Sequence, residues 1–338
     1  MNYKIIFYFL LTLAFLGCKD AIVNTKPKVI IESGTESTYN EMDSLPPKEI
    51  RKSIPVKPKN LDKGEPYTIE NVSMWSGMFD NANENWDNSL YVDEGFIWRK
   101  NNKITLVILK TTDSTVNGYS VVAGNKRPFK GIREAVYENG KIAYHKNFVN
   151  EPGDDKFDGQ FQFKQFEDKI EGTWDSYNGD LEVNERKYEL VPARFEYDPE
   201  QNLSENSLFV DWTKSKSKYE EVYYGDDPTE AEIEEYTEYA STTDAIYDIN
   251  ASNTILTKRD VENLSKSDLR IIRNAIFARH GYSFKTRVLR VYFDAQPWYV
   301  PMSTDVRQQL TDLEKHNIEL LLKYEKNAEE YYDYFGRG

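Results

Sequence analysis

The spacing of apolar residues changes along this chain, and each spacing marks a different part of it. Ile5 to Leu16 is an almost unbroken apolar run, the length of a signal-peptide core and too short to span a bilayer permanently. Between about residues 66 and 199 the period is two. Ile104, Leu106 and Ile108 alternate with polar neighbours, as do Phe161 and Phe163, then Ile170, Gly172 and Trp174, then Tyr188 and Leu190. Such alternation predicts half-buried antiparallel strands. From about residue 255 to 335 the period becomes helical.

Turn residues separate the strand-like runs: Asn101-Asn102, Asn117-Gly118, Asn139-Gly140, Glu167-Asp168 and Asn178-Gly179. The Asn-Gly pairs mark hairpins, because both central residues of such turns need positive φ. About seven or eight short strands at this spacing predict a closed barrel or a sandwich. Trp75-Ser76-Gly77-Met78-Phe79 and Gly172-Thr173-Trp174 resemble the aromatic-glycine strands of lipocalin-like barrels. That resemblance implies an architecture and, as one reading, an interior that carries a small ligand. The fold class is therefore α+β multidomain, an antiparallel β-barrel or sandwich followed by a small all-α domain.

Two stretches lack a sustained period. Residues 18–65 are rich in Ser, Thr, Glu, Lys and Pro and read as a flexible tether. Residues 200–254 hold the densest acidic run, including Glu220-Glu221, Asp226-Asp227 and Glu234-Glu235, and read as an interdomain connector. Within it, Thr229 with Glu232 has the spacing of a helix cap.

In the helical part, Thr257 with Asp260 opens one short helix, Ser265 with Asp268 the next, and Gly281 ends that second helix. A further short helix runs from about Thr286 to Phe293, ended by Pro297. Thr311 with Glu314 opens a long helix through Leu313, Asn317, Leu320 and Tyr324. At about 100° per residue, with Leu269 at zero, Ile272, Ile276 and His280 share one face. Arg273 and Arg279 flank that face. Half-buried guanidiniums need carboxylates or carbonyls, and Asp294, Glu314 and Asn317 are the candidates within this domain. Arg273, His280, Asp294, Glu314 and Asn317 are thus expected to form a structural polar network.

Composition narrows the chemistry. The net charge is −14 among 338 residues, which argues against nucleic acid and against adsorption to anionic lipid. Cys18 is the single cysteine and the histidines number 3, so no intramolecular disulfide, cysteine cluster or multi-histidine metal site is expected. The acidic loop at residues 151–158 lacks the glycine and closing glutamate of a calcium hand and reads as a solvated turn. Gly118-Tyr119-Ser120 lacks the second glycine of a nucleophile elbow, and His145 has no evident acid partner. No nucleophile–base pair or cofactor loop stands out, so the expectation is a non-enzyme without cofactors or metals.

Phe15-Leu16-Gly17-Cys18 resembles a bacterial lipobox, with Phe15 where Leu is commoner. The resemblance implies cleavage of residues 1–17, lipid attachment at Cys18 and membrane anchoring through acyl chains. Lys19 at the second mature position implies the outer membrane. Residues 273–284, Arg-Asn-Ala-Ile-Phe-Ala-Arg-His-Gly-Tyr-Ser-Phe, continue to Tyr292-Phe293 and Gln296-Pro297-Trp298-Tyr299, then Leu310, Glu314 and Asn317-Ile318. They resemble the YARHG domain, Phe277 replacing the first tyrosine. That family implies an extracytoplasmic envelope module without a settled activity. Two roles for Arg279 follow: gripping an anionic or protein ligand beside an aromatic wall of Trp298 and Tyr299, or pinning loops inside the domain. The expected function is binding of a cell-wall component or an envelope protein.

Overall fold

The computed structural model describes residues 61–70, 72–83, 89–92, 96–99, 101–205, 209–223 and 231–328. The apolar leader, the tether up to residue 60 and Cys18 lie outside them.

A minimal strand β1 (Tyr67–Thr68) precedes β2 (Ser73–Asn81), and a small hairpin follows, β3 (Ser89–Val92) with β4 (Phe96–Arg99). The chain then runs through β5 (Asn102–Thr111), β6 (Thr115–Val122), β7 (Asn125–Glu138), β8 (Lys141–Asn150), β9 (Gly159–Gln165), β10 (Ile170–Ser176) and β11 (Glu185–Ala193). Strands β2 and β5–β11 close into a barrel, each paired antiparallel with its chain neighbour and β11 returning to β2. The up-and-down order leaves the sheet without an exposed edge. A short β12 (Glu196–Tyr197) pairs with β1.

Alternation decides what faces inward. Trp75 and Phe79, Ile104, Leu106 and Ile108, Phe161 and Phe163, Ile170 and Trp174, Tyr188 and Leu190 belong to one buried cluster. Phe79 meets Trp174 edge-on at 5.7 Å between ring centroids, and Phe161 meets Tyr188 at 6.0 Å. These rings fill the body of the barrel, so it is a packed core and not a deep calyx.

Two Asn-Gly expectations part company. Asn139-Gly140 is the β7–β8 turn, with φ of 50° and 73°. Asn117-Gly118 is not a turn: both residues lie within β6. Gly118 is required there for another reason, because a Cβ would stand 2.0 Å from the carbonyl oxygen of Val107 on the neighbouring strand. The actual β6–β7 turn is Ala123-Gly124, with φ of 50° and 74°.

The expected connector also differs. Val210–Tyr223 (β13) and Ala231–Ser241 (β14) pair antiparallel as a long two-stranded ribbon, so Glu232 lies in a strand and not in a capped helix. The ribbon is tied down at its base, where Arg270 meets Asp211 at 2.8 Å.

The remaining elements are α1 (Ala245–Asp248), α2 (Lys258–Val261), α3 (Lys266–Arg279), α4 (Arg287–Asp294) and α5 (Asp312–Glu325). The caps are formed as the sequence spacing predicts: Ser265 Oγ accepts the Asp268 amide at 3.1 Å, and Thr311 Oγ1 accepts the Glu314 amide at 3.1 Å. Gly281 ends α3 at φ 72°, and a Cβ there would meet the Phe195 ring at 2.7 Å. Residues 267–279 are all buried, so α3 has no solvent face and its arginines lie inside.

The helices pack directly on the barrel. Outward-facing Met74 of β2 and Val107 of β5 share a buried cluster with Phe195, Tyr197 and Met302. Asp294 Oδ2 accepts the Lys103 amide at 2.8 Å, and Ser283 Oγ accepts the Gly124 amide at 2.9 Å.

Candidate functional site

Two depressions are relevant, and the sequence nominated residues for one of them. The first is a cleft of ≈ 500 Å³ where Arg279, Trp298 and Tyr299 meet Ser76, Val191 and Arg194 of the barrel side. The nominated residues are therefore brought together, but two of them are already occupied. Arg279 is 3% exposed; its Nε donates to the Gln201 carbonyl at 2.8 Å and its Nη1 to Ser252 Oγ at 3.3 Å. Burial pushes the Arg279 guanidinium down to about 10, with Glu314 opposing. Tyr299 is 1% exposed and donates to the Tyr282 carbonyl at 2.7 Å. Trp298 is half-buried, and its Nε1 has no hydrogen-bond partner.

The polar-network residues sit as follows. His280 Nε2 lies 2.8 Å from Glu314 Oε2, while Tyr197 stacks on the imidazole at 4.2 Å and donates to Glu314 Oε1 at 3.1 Å. Glu314 thus joins helix cap, imidazole and barrel-side tyrosine. Asn317 donates to the carbonyls of Ala251 and Thr254 at 2.8 and 2.7 Å and accepts the Leu256 amide at 2.9 Å. Arg273 takes neither Asp294, Glu314 nor Asn317. It forks onto Glu325, Nε at 2.8 Å and Nη2 at 3.0 Å, a partner 52 residues away. Asp294 faces the barrel instead of an arginine of α3, and burial pushes its carboxyl up to about 7 against the Lys103 amide, Arg290 and Lys103.

The second depression is the mouth of the barrel, a cavity of ≈ 640 Å³ walled by the first turn of α4. Its inner wall is Phe79, Phe161 and Trp174, continuous with the barrel core, and Leu181 lies at its side. Glu151, 7% exposed, also lines it. Ser120 Oγ donates to Glu151 Oε1 at 2.8 Å, and the Gly159 amide and Trp174 Nε1 donate to Oε2 at 2.8 and 3.3 Å. Burial outweighs these donors and pushes the Glu151 carboxyl up to about 7.

Cations dominate the rest of the mouth: Arg127 and Arg186 from strands, Lys285, Arg287 and Arg290 from α4 and the loop before it. Arg127 is bound by Asp158 at 2.6 Å and by Asp154. Asp158 also accepts the amides of Gly153, Asp154 and Asp155, so the acidic loop is folded around its own carboxylate and Arg127. Among the described residues no group of three or more His, Cys, Asp or Glu side chains is arranged to hold a metal ion.

The sequence reading missed the mouth. Arg186 was visible in principle: it shares the inward face with Tyr188 and Leu190, an unexpected place for a charge. Arg287 and Arg290 are three apart on one short helix.

This is an up-and-down antiparallel barrel with a helical segment packed on its flank and over its mouth. Residues 245–326 match the model of the YARHG domain. Searches of curated proteins and of solved structures found no match. No helix among the described residues is long and apolar enough to cross a membrane.

Proposed function

We propose that this chain is a non-enzymatic binding protein of the bacterial envelope, lipid-anchored through Cys18 at the outer membrane, whose ligand site is the barrel mouth. The observation that carries the reading is the mouth itself: ≈ 640 Å³, built mostly by the barrel and closed on one side by Lys285, Arg287 and Arg290 of the YARHG-matching segment, with an aromatic wall and charged rim. That volume suits a small molecule or the end of a larger cell-wall component, since such sites run to about 300–1,000 Å³. The filled barrel body speaks against a carrier that swallows its ligand in a lipocalin-like calyx. Glu151, the perturbed acid of the mouth, gives its oxygens to Ser120, Gly159 and Trp174, which supports binding over proton transfer. The YARHG match and the lipobox-like Leu16-Gly17-Cys18 support an extracytoplasmic, anchored location.

Native mass spectrometry of the full chain isolated from envelopes tests this. A bound mass is expected on the parent protein and is expected to vanish when Asn125 at the mouth becomes Trp. A ligand retained by that variant would place binding elsewhere, the Trp298 cleft first.

A further inference from the structure

The mouth brings together basic side chains from the barrel and from α4. Arg186 projects from β11 beside Phe79: its Nη1 donates to the Phe79 carbonyl at 2.9 Å and its guanidinium lies 5.1 Å from the Phe79 ring. Burial pushes Arg186 down to about 10, and Arg290 and Arg287 of α4 push the same way, against Asp80. All three arginines line the same cavity. The neighbouring carboxylates are partly engaged: Asp80 accepts from Asn101 at 2.9 Å, and Glu182 lies by Arg287. Arg290 donates to the Lys285 carbonyl at 2.8 Å, and Lys285 itself is exposed.

Guanidiniums gathered around one cavity attract an anion that enters it, whichever carboxylates they also meet. Guanidiniums match carboxylate and phosphate oxygens in paired hydrogen bonds, and arginine tolerates partial burial better than lysine. Inward of this rim the lining turns aromatic, with Phe79, Phe161 and Trp174. Resting on the mouth as the ligand site, we infer that the ligand is a small organic anion. Its carboxylate or phosphate is held by Arg186, Arg287 and Arg290, and its apolar or aromatic part lies against Phe79, Phe161 and Trp174. The site is composite: Arg186 and the rings come from the barrel, and the other two arginines come from the YARHG-matching segment.

Calorimetric titration of the full-length protein in non-ionic detergent with phenyl phosphate, benzoate and phenol tests the assignment. Both anions are expected to bind about tenfold or more tightly than phenol, with an advantage that shrinks as salt is raised. The Arg287→Gln/Arg290→Gln pair is expected to erase that advantage and leave phenol binding unchanged. The stronger of the two anions identifies the headgroup as phosphate or carboxylate. Equal binding of anions and phenol, all lost in Asn125→Trp, overturns the anion and leaves the mouth standing. Anion binding that survives Asn125→Trp overturns both, and absence of heat from either anion overturns the anion. If the arginine pair proves unfolded by circular dichroism, Glu182→Gln decides. Removing that exposed rim carboxylate should tighten the anions and not phenol, and no change in either overturns the assignment.

Discussion

Replacing Glu151 by Gln should remove a large part of the pH dependence of stability. The carboxyl is almost fully buried and accepts three hydrogen bonds, yet burial still pushes it up to about 7 from an ordinary value of 4.5. The folded protein therefore holds a proton there that the unfolded chain releases, and stability must fall as pH rises from about 4.5 to about 7. Between pH 5 and 8 the loss from this one group works out at ~2.5 kcal/mol, taking about 1.36 kcal/mol per pH unit of separation. A glutamine keeps an acceptor for the Gly159 amide and Trp174, and its amide can donate to Ser120 Oγ, which then turns its own proton elsewhere. Urea unfolding at pH 5, 6, 7 and 8 measures the effect. The parent should lose stability toward pH 8, and Glu151→Gln should lose ~2.5 kcal/mol less of it. Asp294, also pushed up to about 7 by burial, adds a loss of the same sign that persists in the variant. Parallel curves for parent and Glu151→Gln would refute the argument that burial governs this acid.

Other expectations follow from single contacts. Arg279→Ala takes a donor from Ser252 Oγ, leaves the Gln201 carbonyl only the long contact from Asn250 at 3.4 Å, and opens a void, so denaturant unfolding should show a loss of ~2–4 kcal/mol. A variant within about 0.5 kcal/mol of the parent would argue for a surface binding role instead. Gly124 and Gly140 both sit in turns at positive φ, 74° and 73°, but a Cβ on Gly124 would stand 2.1 Å from Lys285 Cγ while Gly140 has nothing within 4 Å. Gly140→Ala should cost ~1 kcal/mol and Gly124→Ala clearly more, the excess measuring how closely the helical segment presses on the β6–β7 turn. Asn317→Leu removes partners from two carbonyls and one amide in the interior, and a thermal melt should report a loss of ~3 kcal/mol or more. Equal melting points would show that those groups find other partners.

What was legible in the sequence was whatever depended on neighbours. Ser265 with Asp268 and Thr311 with Glu314 are capping pairs three residues apart, and their hydrogen bonds need no knowledge of the fold. The alternation around Ile104–Ile108 and Phe161–Phe163 gave strands for the same reason. Closure of β11 onto β2 was not readable, because it depends on a pairing more than a hundred residues apart. The Glu325 partner of Arg273 and the Gln201 carbonyl beside Arg279 were missed on similar grounds. Asn117-Gly118 misled in a different way. The glycine answers to a close approach of β5, and a turn motif cannot be told from such a strand glycine without the partner strand. Acidic residues on β13 and β14 hid a ribbon, since a charge run on a solvated strand looks like a linker.

The motif residues of the helical segment spend their specificity on the barrel. His280 is stacked by Tyr197, lies 3.5 Å from the Tyr67 hydroxyl and shares Glu314 with Tyr197. Gly281 lets the Phe195 ring approach, and Ser283 accepts the amide of Gly124. These contacts fix the chain just before α4, with Thr286 as its N-cap, and so determine where Arg287 and Arg290 stand at the barrel mouth. A side-chain constellation buried away from the ligand site therefore sets the geometry of that site, because a guanidinium displaced by even about 1 Å loses its paired geometry. On this view Arg279-His280-Gly281 does not contact the ligand. It holds in place the helix that does.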